Sequence, residues 1–162
     1  GYKTHPVSID LDSEVLAKLI KEFSHSADQK GLDLTYKCNV KNTMVIADEY
    51  CLTQIFANLI GNAIKYTGTG KVEIVINNNT NKGLVVEVRD TGIGIENEFL
   101  SRIFEPFTQE EQGYSRSYEG NGLGLALVKK YCDLNNLSIE IESKKHVGSV
   151  FKVFFPNLLN MN

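Results

Sequence analysis

The chain has 162 residues, with 17 basic residues against 20 acidic ones for a net charge of -3, which is about one domain's length. With 42% hydrophobic residues, a chain of this size buries about 70% of its unfolded surface, so intrinsic disorder and dependence on disulfide or metal staples are excluded. The mildly acidic balance, pI near 5.6, excludes a broad nucleic-acid or anionic-membrane footprint, and any phosphate the protein binds must be held locally.

In chain order, Val7, Ile9 and Leu11 alternate as a short strand, after which Asp12 and Ser13 offer N-caps to a helix whose apolar face carries Val15, Leu16, Leu19, Ile20, Phe23 and Ala27. Gly31 stops it. Leu32, Leu34 and Tyr36 alternate as a second strand, and Asp48 caps the most periodic helix of the chain, with Leu52, Ile55, Phe56, Leu59, Ile60, Ala63 and Ile64 on one side. Gly68 and Gly70 end that helix. Val72, Ile74 and Ile76, then Leu84, Val86 and Val88, predict an antiparallel pair joined by an Asn-rich turn.

Residues 90–95 read as a turn, 96–103 as a short helix, and 108–121 as a long loop without either period. A helix follows over 123–134. Leu137, Ile139 and Ile141 with Phe151, Val153 and Phe155 predict a closing hairpin turned around Gly148. About six strands and three long helices, with several strands joined as hairpins, favour an α/β fold with one layer of helices over a mixed sheet rather than a doubly wound parallel fold.

Cys38, Cys51 and Cys132 are isolated and odd in number, so neither a disulfide framework nor a zinc site is expected, and reduced cytoplasmic thiols fit best. The longest apolar runs fall far short of the roughly 20 residues that span a bilayer, and no signal peptide is recognisable. A single soluble domain over residues 1–162 is expected. The opening Gly1-Tyr2-Lys3 reads as a fragment of a longer protein.

Three features carry chemistry. At 100° per residue, Asn58, Asn62 and Lys65 share a narrow stripe at the flank of the central helix, where amide oxygens can ligate Mg²⁺ beside substrate phosphates and the ammonium can neutralise phosphate oxygens. Asp90 falls by alternation on the buried face of its strand, and a buried carboxylate needs a donor such as the adenine amine, where guanine would present an acceptor. Gly92 and Gly94 permit positive φ and close approach of a ring to backbone. The third feature is Gly120-Asn121-Gly122-Leu123-Gly124-Leu125, a glycine-rich loop running into a helix, where free N–H groups favour phosphate. Singly, each has a plain structural alternative: a solvated stripe, an Asp-Thr-Gly turn, and a hinge at a helix start.

Together, NxxxNAxKY, DTGIGI, FEPF (Phe104 to Phe107) and GNGLGL stand in this order with domain-sized spacing. The chain therefore resembles the catalytic and ATP-binding domain of sensor histidine kinases, within the wider family of gyrase-like, chaperone-like, histidine-kinase and MutL ATPases (the GHKL superfamily, Bergerat-type fold). The likeness runs from Val7 through Pro156. It implies a two-layer α/β sandwich, a mixed sheet covered by helices on one face, and ATP with Mg²⁺ as cofactors.

By the same resemblance Asn62 ligates Mg²⁺ and, with Lys65, is catalytic, while Asn58 and Tyr66 surround the nucleotide. Asp90 holds the adenine amine. Gly92, Gly94 and Ile95 belong to the first glycine box, Phe104 and Phe107 to the F box, and Gly120, Asn121, Gly122, Leu123 and Gly124 to the second glycine box. Residues 108–119 become the ATP lid, with Arg116 approaching the γ-phosphate or lying solvated at the surface.

Hydrolytic relatives place a glutamate one turn before the metal-binding Asn, and here that position is Asn58, which is no general base. A protein-histidine kinase domain of two-component phosphorelay signalling is therefore expected, the alternatives being a GHKL-type ATP hydrolase or a non-catalytic nucleotide-binding module. The implied partners are an upstream, dimerising phosphoacceptor helical hairpin and a response regulator receiver domain, with no nucleic acid and no direct membrane contact. None of His5, His25 or His146 stands in a phosphoacceptor motif. The domain is expected in the cytoplasm, as the cytoplasmic part of a sensor.

Overall fold

A computed structural model describes residues 1–106 and 124–156. β1 (Pro6–Asp10) leads into a π-helical turn (Leu11–Leu16) continued by α1 (Ala17–Gln29). The cap is Asp10 rather than the predicted Asp12 or Ser13, for its carboxylate accepts from the N–H groups of both. The Thr43 hydroxyl donates to the same oxygen and is the main reason the Asp10 carboxyl stays below the usual range. Gly31 ends α1 in the left-handed region at φ +70°.

β2 (Asp33–Cys38) and β3 (Met44–Asp48) precede α2 (Glu49–Lys65). Asp48 caps α2 through the N–H of Cys51 at 2.9 Å, as the sequence predicts. The apolar arc of α2 is fully interior, with Leu52, Ile55, Phe56 and Ile60 at 0% exposure. β4 (Lys71–Asn79) and β5 (Gly83–Asp90) form the antiparallel pair, α3 (Asn97–Leu100) is a single short turn, and α4 (Gly124–Leu134) precedes the hairpin of β6 (Ser138–Lys144) and β7 (Gly148–Phe155).

Five strands make one mixed sheet in the order β2-β4-β5-β7-β6, with β2 parallel to β4 and the other neighbours antiparallel. The register aligns Ile74 with Val88 and Val88 with Phe151, so their side chains line one face, and the helices cover it. This two-layer α/β sandwich matches the expected class. A second, two-stranded sheet of β1 and β3 was not anticipated. In β3 Val45 and Ala47 are buried while Met44 and Ile46 stand about half exposed, so a strand that alternates in burial does not alternate in hydrophobicity and left no period to read.

Candidate functional site

The end of β5 sets the position of Asp90. Its cross-strand partners are Val72 and Ser149, so it lies on the helix-facing side with Leu84, Val86 and Val88, as alternation predicts. Burial pushes its carboxyl up to about 6, against the opposing pull of the Gly92 and Ser149 backbone groups. The Gly92 N–H donates to Oδ1 at 2.9 Å. A carboxylate that is partly desolvated yet not neutralised by a cation is suited to accept a hydrogen bond from a bound base.

The loop after Asp90 is fastened to the end of α2. The Ile93 N–H donates to the Tyr66 carbonyl at 3.1 Å. A Cβ on Gly92 would stand 2.3 Å from that carbonyl oxygen and 2.8 Å from Thr67 Oγ1, so only glycine lets the loop seat here. Gly94, at φ +68°, would carry a Cβ 2.0 Å from the Lys144 carbonyl. Both glycines are thus required by approach of the chain to itself, whatever else they admit. Ile95, expected at the nucleotide, is wholly interior at 0% exposure, and its N–H donates to Ser143 Oγ. It anchors the loop in the core.

On α2, Asn58 and Asn62 are half-buried on the predicted flank and Lys65 is exposed. The Lys65 ammonium lies 5.2 Å from the Tyr66 ring centroid, a cation–π distance that leaves its charge at the mouth of the site. Asn58 Nδ2 donates to the Gln54 carbonyl, and its Oδ1 sits 3.5 Å from where a Cβ on Gly124 would be. The start of α4, which closes the glycine-rich motif, is therefore brought against the flank of α2. At that separation packing would also accept alanine. Asn62 Nδ2 is buried and finds no hydrogen-bond partner among the described residues; such a group is usually matched by a ligand or water.

The site joins residues from α2, the β5 loop and α4 that are distant in sequence. Phe104 packs edge-on against Phe151 at 6.3 Å between centroids, which ties the F box to β7. Phe107, Arg116, Gly120, Asn121, Gly122 and Leu123, with the expected lid over 108–119, lie outside the described residues. Sequence reading missed Thr67, whose hydroxyl is buried without a partner among the described residues, and the Ser143–Ser149 hydroxyl pair at 2.7 Å. It also missed Lys30, which donates to the last carbonyls of α2, those of Ile64 and Lys65. No periodicity or motif announces such contacts, because each depends on which strand or helix lies beside which.

Among the described residues no group of three or more His, Cys, Asp and Glu side chains could hold a metal ion. The amide of Asn62 fits a divalent ion only as a single protein ligand, with the remaining oxygens coming from phosphates and water, the usual manner for Mg²⁺ at a nucleotide.

Residues 47–159 match the family described as histidine kinase-, DNA gyrase B- and HSP90-like ATPases, and the chain belongs to that family. Among curated proteins it is 38% identical over 154 residues to the signal transduction histidine-protein kinase BarA of Escherichia coli, covering 91% of this chain and 17% of that protein. It is 35% identical over 158 residues to the autoinducer 2 sensor kinase/phosphatase LuxQ of Vibrio parahaemolyticus, covering 94% and 18%. The chain thus spans under a fifth of the length of these relatives.

Among solved structures it is similar to the catalytic domain of the histidine kinase ThkA, with TM-score 0.79, 25% identity and coverage of 94% of this chain and 98% of that one. The full-length ShkA complex with AMPPNP gives TM-score 0.81 at 26% identity, covering 96% and 32%. This is a histidine-kinase-type ATPase domain of the two-component sensor kinases. Among the described residues no helix is long and apolar enough to cross a membrane.

Proposed function

We propose that this domain binds Mg-ATP and donates the γ-phosphate to a histidine carried on an upstream, dimerising helical hairpin of the same protein, for onward transfer to a response regulator receiver domain. The observation that supports it most is the convergence of the half-buried Asp90 carboxylate with the Asn58, Asn62 and Lys65 flank of α2, joined through Gly92 and Tyr66. In this reading Asp90 accepts from the adenine amine, Asn62 Oδ1 takes one coordination position of a magnesium ion, and Lys65 balances phosphate charge. A magnesium ion held there would supply charge neutralisation at the phosphates.

Phosphoryl transfer forms a bond from imidazole nitrogen to phosphorus as the bond to the β-phosphate oxygen breaks, and ADP leaves. It needs alignment and charge neutralisation more than covalent help from the protein. Asn58 fits this reading better than hydrolysis, because an amide cannot take a proton from water at neutral pH. None of His5, His25 and His146 is a candidate acceptor.

The test is incubation of the domain with γ-labelled ATP, alone and with the purified hairpin domain of the same protein, followed by assay for acid-labile phosphohistidine. Label should enter the hairpin only when both parts are present. Rapid phosphate release without an acceptor, or label on His5, His25 or His146, would overturn the reading.

A further inference from the structure

Thr67, the residue after the α2 cap Tyr66, is completely buried, and its hydroxyl has no hydrogen-bond partner among the described residues. A valine of the same shape would suit a purely structural position better, since an unpartnered buried hydroxyl is a net cost to folding. Its surroundings point elsewhere than the core. Thr67 Oγ1 and Asp90 Oδ1 stand 2.8 and 3.0 Å from one common point, the place a Cβ on Gly92 would occupy. The two oxygens therefore stand within about 6 Å of each other beside Gly92.

We propose that Thr67 is a second purine-reading residue, whose hydroxyl donates to the ring nitrogen beside the amine that Asp90 accepts, directly or across one water. This rests on the nucleotide reading above and extends it to a specificity-determining residue. The chemistry follows from the base. The Watson–Crick edge of adenine offers a donor, the exocyclic amine, next to an acceptor, the ring nitrogen N1. An ionised carboxylate only accepts, so Asp90 can serve the amine and leaves N1 needing a donor.

Four of the nearby backbone N–H groups are already committed. The N–H of Thr91 is committed to Lys71 O, that of Gly92 to Asp90 itself, that of Ile93 to Tyr66 O and that of Ile95 to Ser143. Thr67 has a donor to give. Guanine reverses both positions, presenting an acceptor to Asp90 and a donor at N1, so the pair rejects it chiefly through the carboxylate while Thr67 adds selectivity for an unprotonated N1.

Calorimetric titration of wild type, Thr67→Val, Thr67→Ser and Asp90→Asn with ADP and with 1-deaza-ADP, in which N1 is replaced by C–H, tests this. Thr67→Val should weaken ADP about threefold to tenfold, the loss of one neutral hydrogen bond, and leave 1-deaza-ADP unchanged. Thr67→Ser should keep the wild-type preference. Because the lost hydroxyl has no partner among the described residues, ligand-free Thr67→Val should melt at or above the wild-type temperature; Thr67→Ala serves the same analogue comparison should valine pack poorly. Equal losses for both ligands, or none for ADP, would overturn the role of Thr67 while wild-type binding of ADP and its weakening in Asp90→Asn left the nucleotide reading standing. Wild-type protein that binds neither ligand would instead overturn both.

Discussion

The backbone N–H of Ile93 donates to the carbonyl of Tyr66 at 3.1 Å. Through this bond the loop that follows Asp90 is tied to the end of the helix that carries Asn62, which links the proposed base-reading and metal-holding groups. The joint is possible because residue 92 has no side chain. Gly92→Ala places a Cβ 2.3 Å from the Tyr66 oxygen, and opening the joint should cost about 1 to 3 kcal/mol. Denaturant unfolding and ADP titration of the variant check this, and an unchanged unfolding midpoint with wild-type affinity would show that the loop seats in some other way.

Asp90→Ala should weaken ADP by about 1 to 3 kcal/mol, the usual result of removing one partner of a buried polar contact. Discrimination between adenine and guanine nucleotides should fall with it. Calorimetry with ADP and GDP reads both, and wild-type affinity in the variant would remove Asp90 from the site.

Asn62→Ala should affect metal-dependent binding selectively. If Oδ1 holds the ion, the variant loses affinity for Mg-ATP by more than it loses for ADP in EDTA, since metal-free ADP makes no use of that oxygen. Parallel losses of equal size would mean that the substitution had disturbed α2.

A stability measurement follows from the burial of Asp90. Its folded-state pKa, about 6, lies above the ordinary value of 3.8, so between these two pH values the folded chain binds more protons at this site than the unfolded chain. Stability contributed here is present below about pH 4 and lost as pH rises through about 6. Ligand-free Asp90→Asn lacks this term. Its melting temperature relative to wild type should therefore be higher at pH 7 than at pH 4.5, and a difference that stays flat with pH would show that the carboxyl is not perturbed.

Asp48 has a different kind of burial. At 2% exposure, desolvation acts to raise its pKa, but the N–H groups of His5 and Cys51 and the Tyr2 hydroxyl more than offset that and hold it below the usual carboxylate range. Tyr2 rises to about 12, chiefly through its bond to Asp48. Asp48→Ala removes both the cap of α2 and the anchor of the first residues, and should destabilise the domain by about 2 to 4 kcal/mol. Urea denaturation gives the value, and a loss within about 0.5 kcal/mol would place the anchoring elsewhere.

Much of this protein was legible without coordinates. The apolar arc from Leu52 to Ile64, the cap at Asp48 and the alternation that carries Asp90 onto the buried face depend on near neighbours in sequence, which one period or one capping bond fixes. The order of motifs from Asn58 to Gly124 pointed to the family because several short patterns in one order are far more specific than any one of them. The short strand Met44–Asp48 stayed hidden, since all of its residues up to Ala47 are apolar on both faces and only its pairing with Pro6–Asp10 makes it a strand.

The sequence by itself determined which elements form, which faces they bury and which residue types could meet a nucleotide. Only the tertiary structure decided that Gly92 and Gly94 are required by the chain's own carbonyls, that Ile95 belongs to the core, and that Thr67 stands beside Asp90 with its hydroxyl unpartnered among the described residues. The physical reason is the range of the interactions. Helical and strand periods are written within a few residues, whereas a contact such as Asn58 against Gly124 depends on how two helices pack, and packing is set by the summed burial of the whole core rather than by any local stretch of it.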